Sequence, residues 1–383
     1  MKKLLLTTAA VLALASPSLA TNSTSTINQT GATNTASVNQ NDPDITGAAS
    51  TITQGGNNNS ASVMQAGDAS ATAGDLVSTV NQSGNSNQAT VNQNYTTAAI
   101  AGFSNVSQSG NLNVANVTQL DDSQRLTLTQ SSNGNRADVV QGDATLALSD
   151  ESWSDIANIT QAGTGSHIAT VNQTARDQTL TLTQNGFDNE ALVNQGFNTL
   201  NSETHIANIT QSGNSSYAQV DQGGAPLTNG HNATINQDGD LSEARIYQTG
   251  GINQQGDITQ HANSSFAVIL QTAGDTNTAS ITQNAGTGGY AGIEQNADNI
   301  DADITQTGDG HYARGRQDGI NNDFDITQTG SNNRADIRQN GNTNQLSVNQ
   351  GGMGNTANVT QNTNANNLTV TQPGNNNSTT ITQ

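Results

Sequence analysis

The chain has 383 residues and a formal net charge of −20, with 10% charged residues, 3% aromatic residues and no cysteine. So little apolar material excludes a set of ordinary globular cores, and the acidic balance disfavours nucleic acid or an anionic membrane as a partner. The missing thiols exclude a disulfide framework, so stability has to come from backbone pairing and from order in the sequence.

The first element is a separate one. Lys2 and Lys3 precede an apolar run from Leu4 to Leu14 and a Ser18-Leu19-Ala20 ending. This pattern predicts a secretory signal peptide over residues 1–20, cleaved after Ala20, too short and wrongly flanked for a membrane span. Its removal takes both lysines of the chain and moves the formal charge from −20 to −22. No later segment is apolar enough to cross a bilayer.

From residue 21 to residue 383 a glutamine recurs at a nearly constant spacing. Gln29, Gln40, Gln54, Gln65, Gln82, Gln93, Gln108 and Gln119 open the series, and Gln295, Gln306, Gln317, Gln328, Gln339, Gln350, Gln361, Gln372 and Gln383 close it at intervals of eleven. A short period kept along a chain signals stacked identical units. Two half-units alternate. An Ala half-unit reads Asn-x-Ala-x-Val-x-Gln, as in Asn34, Ala36, Val38, Gln40 and Asn355, Ala357, Val359, Gln361, with Ala in fourteen of fifteen copies and Thr379 as the exception. A Thr half-unit ends in apolar-x-Gln, usually with Thr between, as in Ile52-Thr53-Gln54 and Val370-Thr371-Gln372.

Spacing of two is the strand period, so Asn, Ala, Val and Gln are predicted to face one side and the intervening polar residues the other. Glycine two residues past Gln, at Gly31, Gly84, Gly110, Gly186, Gly213, Gly308, Gly330 and Gly352, predicts a corner with positive-φ backbone. Each coil is then strand, turn, strand, turn in about twenty-two residues, and the fold class is all-β, a β-solenoid of about fifteen coils with cross-β stacking. Inward glutamines would cost roughly 1–3 kcal/mol each if left unpaired. Stacked in a ladder, each amide can donate to one neighbour and accept from the other.

The corner inside the Ala half-unit keeps its length, whereas the opposite corner carries every large insertion, all between residues 41 and 236. These loops should emerge along one edge. Trp153, the lone tryptophan, lies in the longest, beside Leu146 and Leu148. Gly315 replaces an inward Val or Ile between Arg314 and Arg316, and Asp257, Asp303 and Asp325 take outer positions. They read either as gatekeepers against premature aggregation or as ordinary variation of a solvated face.

Gln108-Ser109-Gly110-Asn111-Leu112-Asn113-Val114-Ala115 followed by Gln119, and Gln328 to Gln339 through Gly330, Asn333 and Ala335, fit the pattern Ser-x5-Gln-x-Gly-x-x-Asn-x-Ala-x3-Gln. In this the chain resembles curlins, the subunits of bacterial curli fibres. The leading Ser is replaced by Gln124, Gln178, Asn322 or Asn344, and Thr21 leads almost directly to Ile27 and Gln29, where family members carry an export-targeting segment. The resemblance implies a secreted, self-assembling functional amyloid of the extracellular matrix, serving adhesion and biofilm formation. Its partners would be other copies of itself, with a nucleator subunit and an outer-membrane curli-type export pore, and no cofactor. Stacking leaves an open edge at each end, so Ile27 and Gln29 at one, and Thr379, Ile381 and Gln383 at the other, are the expected assembly edges, with no capping segment apparent beyond them.

Other readings are weaker. Four histidines follow repeat register, His167 and His311 in the Asn column and His205 and His231 at matching positions of the Thr half-unit, and His261 stands alone in a turn. No nucleophile, Walker loop or metal-spaced His cluster points to an enzyme. Calcium β-roll loops of the Gly-Gly-x-Gly-x-Asp type are absent, leaving weak cation binding by acidic loops such as Asp150 to Asp155. Outward pairs Thr51/Thr53, Thr127/Thr129, Thr181/Thr183 and Thr369/Thr371 raise ice binding, against which Asn158, Asn208 and Asp303 break the grid. A monomeric β-solenoid adhesin using the edge loops is the remaining alternative.

Overall fold

The computed structural model describes residues 23–40, 47–67, 76–95, 102–120, 123–142, 154–174, 176–197, 204–223 and 230–383. Signal-peptide residues 1–20 with Ala20, the body of each long insertion, and Trp153, Leu146 and Leu148 lie outside them. The described residues form thirty strands and no helix. They fall into two compact units, one through Ala169 and one from Thr170.

Each unit is a β-solenoid of two parallel sheets. Strands of the Thr half-units make one sheet and strands of the Ala half-units the other. Pairing is in register, like residue on like residue. In the first unit Ile27 pairs with Ile52 and Gln29 with Gln54, and Ala61 pairs with Ala89 and Val63 with Val91. In the second, Ile304 pairs with Ile326 and Gln306 with Gln328. This register follows from the period: a slip by one residue would turn every Val and Ile out to water. A single coil cannot bury its own inner face, so stacking supplies the core.

The interior is narrow. Val80, Val106, Leu128, Ile159, Ile209 and Ile281 are essentially inaccessible, as are Ala115, Ala137, Ala218 and Ala291 from the facing sheet. Parallel sheets usually have both faces covered. Here the outer face carries Thr, Asn, Ser, Asp and Arg instead, half-buried or exposed along each strand.

The corners correct one expectation. Gly31, Gly186, Gly308, Gly330 and Gly352 have positive φ, but Gly84, Gly110 and Gly213 do not. What those three share is contact: a Cβ on Gly84 would lie 1.8 Å from the Gly110 carbonyl oxygen, and one on Gly213 2.2 Å from that of Gly239. Close stacking of one corner on the next therefore excludes a side chain. The recurrent left-handed residue comes two positions later and is often not glycine, as at Thr33, Asn58, Ser86, Leu112, Ser215, Leu241, Asn332 and Asn376.

The described flanks of the insertions have a common place. Each insertion follows an Ala-sheet strand and precedes a Thr-sheet strand, as after Ser60–Gly67 and before Val77–Gln82 in the first unit, and after Tyr217–Gly223 and before Asn232–Gln237 in the second.

Candidate functional site: inward ladders and open edges

The predicted site residues are the inward glutamines, and their hydrogen bonds can be followed coil by coil. In the Thr sheet of the first unit Gln29 Nε2 donates to Gln54 Oε1 at 2.7 Å, Gln54 to Gln82 at 2.8 Å, Gln82 to Gln108 at 2.8 Å and Gln108 to Gln130 at 2.8 Å. In its Ala sheet Gln40 donates to Gln65, Gln65 to Gln93 and Gln93 to Gln119, each at 2.8 Å. The second unit repeats the pattern: Gln328 donates to Gln350 and Gln350 to Gln372 at 2.8 Å, Gln317 to Gln339 at 3.0 Å, and Gln339 to Gln361 at 2.9 Å. All run the same way, donor to the following coil.

The second amide hydrogen has a role that spacing did not reveal. It crosses the core to a backbone carbonyl of the opposite sheet: Gln54 to Thr35 at 2.9 Å, Gln108 to Gln88 at 2.9 Å, Gln328 to Tyr312 at 3.0 Å and Gln350 to Arg334 at 2.9 Å. Each glutamine thus joins coil to coil and sheet to sheet. A buried primary amide has two donors, and both are used.

The Asn column builds a second ladder at the corner. Asn59, Asn87, Asn113 and Asn135 backbone N–H groups donate to the Oδ1 of Asn34, Asn59, Asn87 and Asn113, each at 2.9 Å. His311 substitutes within it, its Nδ1 accepting from Asn333 N–H at 3.3 Å, while His167 N–H donates to Asn135 Oδ1 at 3.0 Å. In the Thr sheet His205 and His231 stack with ring centroids 4.7 Å apart and planes 4° from parallel, and His231 Nδ1 accepts from Gln254 N–H. Burial first, and His205 second, lower the His231 pKa to about 3. Exposed His261 sits 2.6 Å from Asp238.

Gly315 has a specific neighbour. It is buried in the Val column between Ile293 and Ile337, and a Cβ there would lie 1.9 Å from Phe324 Cζ. Its place in the fold is matched by the packing of Phe324 against it.

At the edges the ladders open. Among the described residues the strand Thr24–Gln29 pairs with Ala49–Gln54 alone, and Ser378–Thr382 with Thr356–Gln361 alone. Ile27, Thr379 and Ile381 are only half-buried, and Gln383 is exposed. Gln29 donates to Gln54, and no preceding glutamine among the described residues donates to it. At the other edge Gln372 donates to the Thr356 carbonyl and the Thr379 hydroxyl, and Gln383 accepts from Gln361 at 3.4 Å.

Outward threonines do not form an unbroken grid: Thr79, Asn105, Thr127 and Asn158 succeed one another in one column. Among the described residues, no three His, Asp or Glu converge as ligands for a metal ion, and no helix is long and apolar enough to cross a membrane.

Residues 297–330 and 330–362 each match the family model described as the curlin associated repeat. No curated protein matches the chain.

Proposed function

We propose that this curlin-family repeat protein is an exported structural protein whose copies stack end to end into a curli-like amyloid fibre of the extracellular matrix, where it serves adhesion and biofilm formation. A non-enzymatic structural role fits the two-sheet solenoid and its repeats. The observation that carries the assembly reading is the polarity of the glutamine ladders. The glutamine-to-glutamine bonds run forward, so one edge ends on the Gln29 acceptor and the other on Gln372, whose amide turns to the Thr356 carbonyl and the Thr379 hydroxyl and would exchange the hydroxyl for the Gln29 oxygen of the next copy. Edges that complement each other but are not identical make a head-to-tail contact, which propagates as a filament instead of closing as a dimer. Ile27 and Gln29 form one assembly edge in this reading, and Thr379, Ile381 and Gln383 the other.

Export begins with cleavage after Ala20, leaving residues 21–383 as the fibre subunit, and proceeds through an outer-membrane curli-type pore. A nucleator subunit would supply the first open edge. The test is to express residues 21–383 and follow thioflavin-type fluorescence, electron microscopy and seeding by preformed fibrils. Growth and self-seeding are expected, with Ile381→Lys or Thr379→Pro slowing elongation. A soluble monomer that neither grows nor seeds would overturn the proposal.

A further inference from the structure

The outer faces of the second unit differ in charge. In its Thr sheet, strands Asp301–Asp309 and Asp323–Ser331 are adjacent, with Asp301 paired to Asp323 and Asp303 to Asp325. Four carboxylates therefore occupy one outward patch, and Asp301, Asp303 and Asp325 are exposed. No arginine lies in the Thr sheet of this unit. Burial, and then the neighbouring aspartates, push the Asp323 carboxyl up to about 6 and raise Asp303 and Asp325 in the same direction. The four do not converge on a metal-ligating geometry.

The same coils turn the opposite charge outward on the Ala sheet. Strands Tyr312–Gln317 and Arg334–Gln339 are adjacent and bear Arg314, Arg316, Arg334 and Arg338. Their side chains are 38–54% exposed. Three local carboxylates reach the four arginines, leaving one guanidinium in excess: Glu294 lies 3.5 Å from Arg314 and 3.3 Å from Arg316, Asp336 3.2 Å from Arg334, and Asp318 3.5 Å from Arg338. The tightest of these contacts is Arg316 with Asp318 at 2.9 Å. Arg334 also lies over the Tyr312 ring at 4.1 Å, which holds it flat against the sheet.

Both patches sit on the same lattice, two strands about 4.8 Å apart and outward positions about 6.6 Å apart along each strand. We infer that the arginine patch of one copy docks on the aspartate patch of a second copy, side to side, so that solenoids associate laterally through opposite outer faces. The occupant follows from local charge: copies of a chain with net charge −20 repel one another overall, and what complements these arginines on a second copy is the carboxylate patch it carries. Single exposed pairs contribute little. A contact that recurs with every subunit along a filament multiplies that small contribution, as linked binding sites do.

In its polymer form this inference rests on the stacking proposed above, and the readouts separate the two. Filaments of residues 21–383 should bundle at about 20 mM NaCl and separate into single filaments by about 500 mM, as the Debye length falls from roughly 20 Å to roughly 4 Å. Neutralising either patch (Asp301, Asp303, Asp323 and Asp325→Asn, or Arg314, Arg316, Arg334 and Arg338→Gln) should abolish bundling at low salt while seeded growth is retained. Reversing each patch, the aspartates to Arg in one protein and the arginines to Asp in another, should disperse each protein alone and restore bundling when they are mixed. Far-ultraviolet circular dichroism checks the fold of every variant. Wild-type bundling that ignores salt overturns the inference, as do neutralised variants that bundle normally. If wild-type protein forms no filaments, the stacking reading fails. Sedimentation of the soluble chain then decides the lateral contact: salt-sensitive self-association lost in both neutralised variants supports it, and a monomer at low salt overturns it.

Discussion

Gly315 and Phe324 fill one space from opposite sheets: the phenyl ring lies where a side chain on Gly315 would begin, 1.9 Å from its Cβ position. Every other described coil keeps Val, Ile or Leu in the column that Gly315 interrupts, while Phe324 stands between Ala302 and Leu346 in the facing column. The volume removed from one column is returned by the other, as a close-packed interior requires. Gly315→Val alone should therefore overpack and cost about 1–3 kcal/mol, and Phe324→Ala alone should leave a cavity costing about 3–5 kcal/mol. Phe324→Leu combined with Gly315→Val restores the ordinary coil, so the double variant should be more stable than the sum of its single changes. A double-mutant cycle in urea measures the coupling.

Gln237 is a test of the ladder at its centre. It accepts from Gln211 at 3.0 Å and donates to Gln260 at 2.9 Å and towards the Tyr217 and Ser242 carbonyls at 3.0 Å. Gln237→Ala strands the donor of Gln211 and the acceptor of Gln260 inside the core, at roughly 1–3 kcal/mol for each buried group left without a partner. Gln29→Ala removes one such contact at a half-buried edge and should cost well under half as much. Chemical denaturation of the two variants checks the ratio.

The strand period, the inward set and the in-register stacking were legible because each coil repeats the same arithmetic, so an error in one coil is outvoted by the others. The cross-core bonds of Gln54, Gln108 and Gln328 were not, because they depend on the height of one sheet against the other, which no spacing records. The pairing of Gly315 with Phe324 left a visible signal: a lone glycine in the Val column and a phenylalanine in an inward column nine residues later. Glycine at the corners was legible as a requirement but not as to its cause, since a close approach and a positive φ select the same residue.

Ser50, Ser78 and Ser104 form a column of buried hydroxyls without hydrogen-bond partners among the described residues. Leu126 and Ala157 occupy the same column in later coils of that unit. Ser78→Ala keeps the volume nearly constant and removes an unsatisfied polar group, so it should stabilise the protein by about 1 kcal/mol. Thermal melting of the variant against wild type checks the sign.

His231 makes stability depend on pH. Its pKa in the fold, about 3, lies below the ordinary 6.5, because burial and the stacked His205 disfavour the cation. The unfolded chain therefore binds a proton between these values that the folded chain does not, and stability falls as pH drops from about 6.5 towards 3, by up to about 1.4 kcal/mol per pH unit. Asp323 opposes this: its raised pKa of about 6 means the folded state takes up its proton first, so its penalty at neutral pH shrinks progressively as pH falls from about 6 to the ordinary 3.8. Wild type should accordingly show a shallow profile between pH 6 and pH 4. His231→Asn, which keeps an acceptor for Gln254 N–H, should gain stability relative to wild type progressively over that range, and Asp323→Asn should be stabilised at pH 7 but not at pH 4. Urea midpoints at pH 4, 5, 6 and 7 for the three proteins separate the two groups, and a His231→Asn profile parallel to wild type would exclude the buried neutral imidazole.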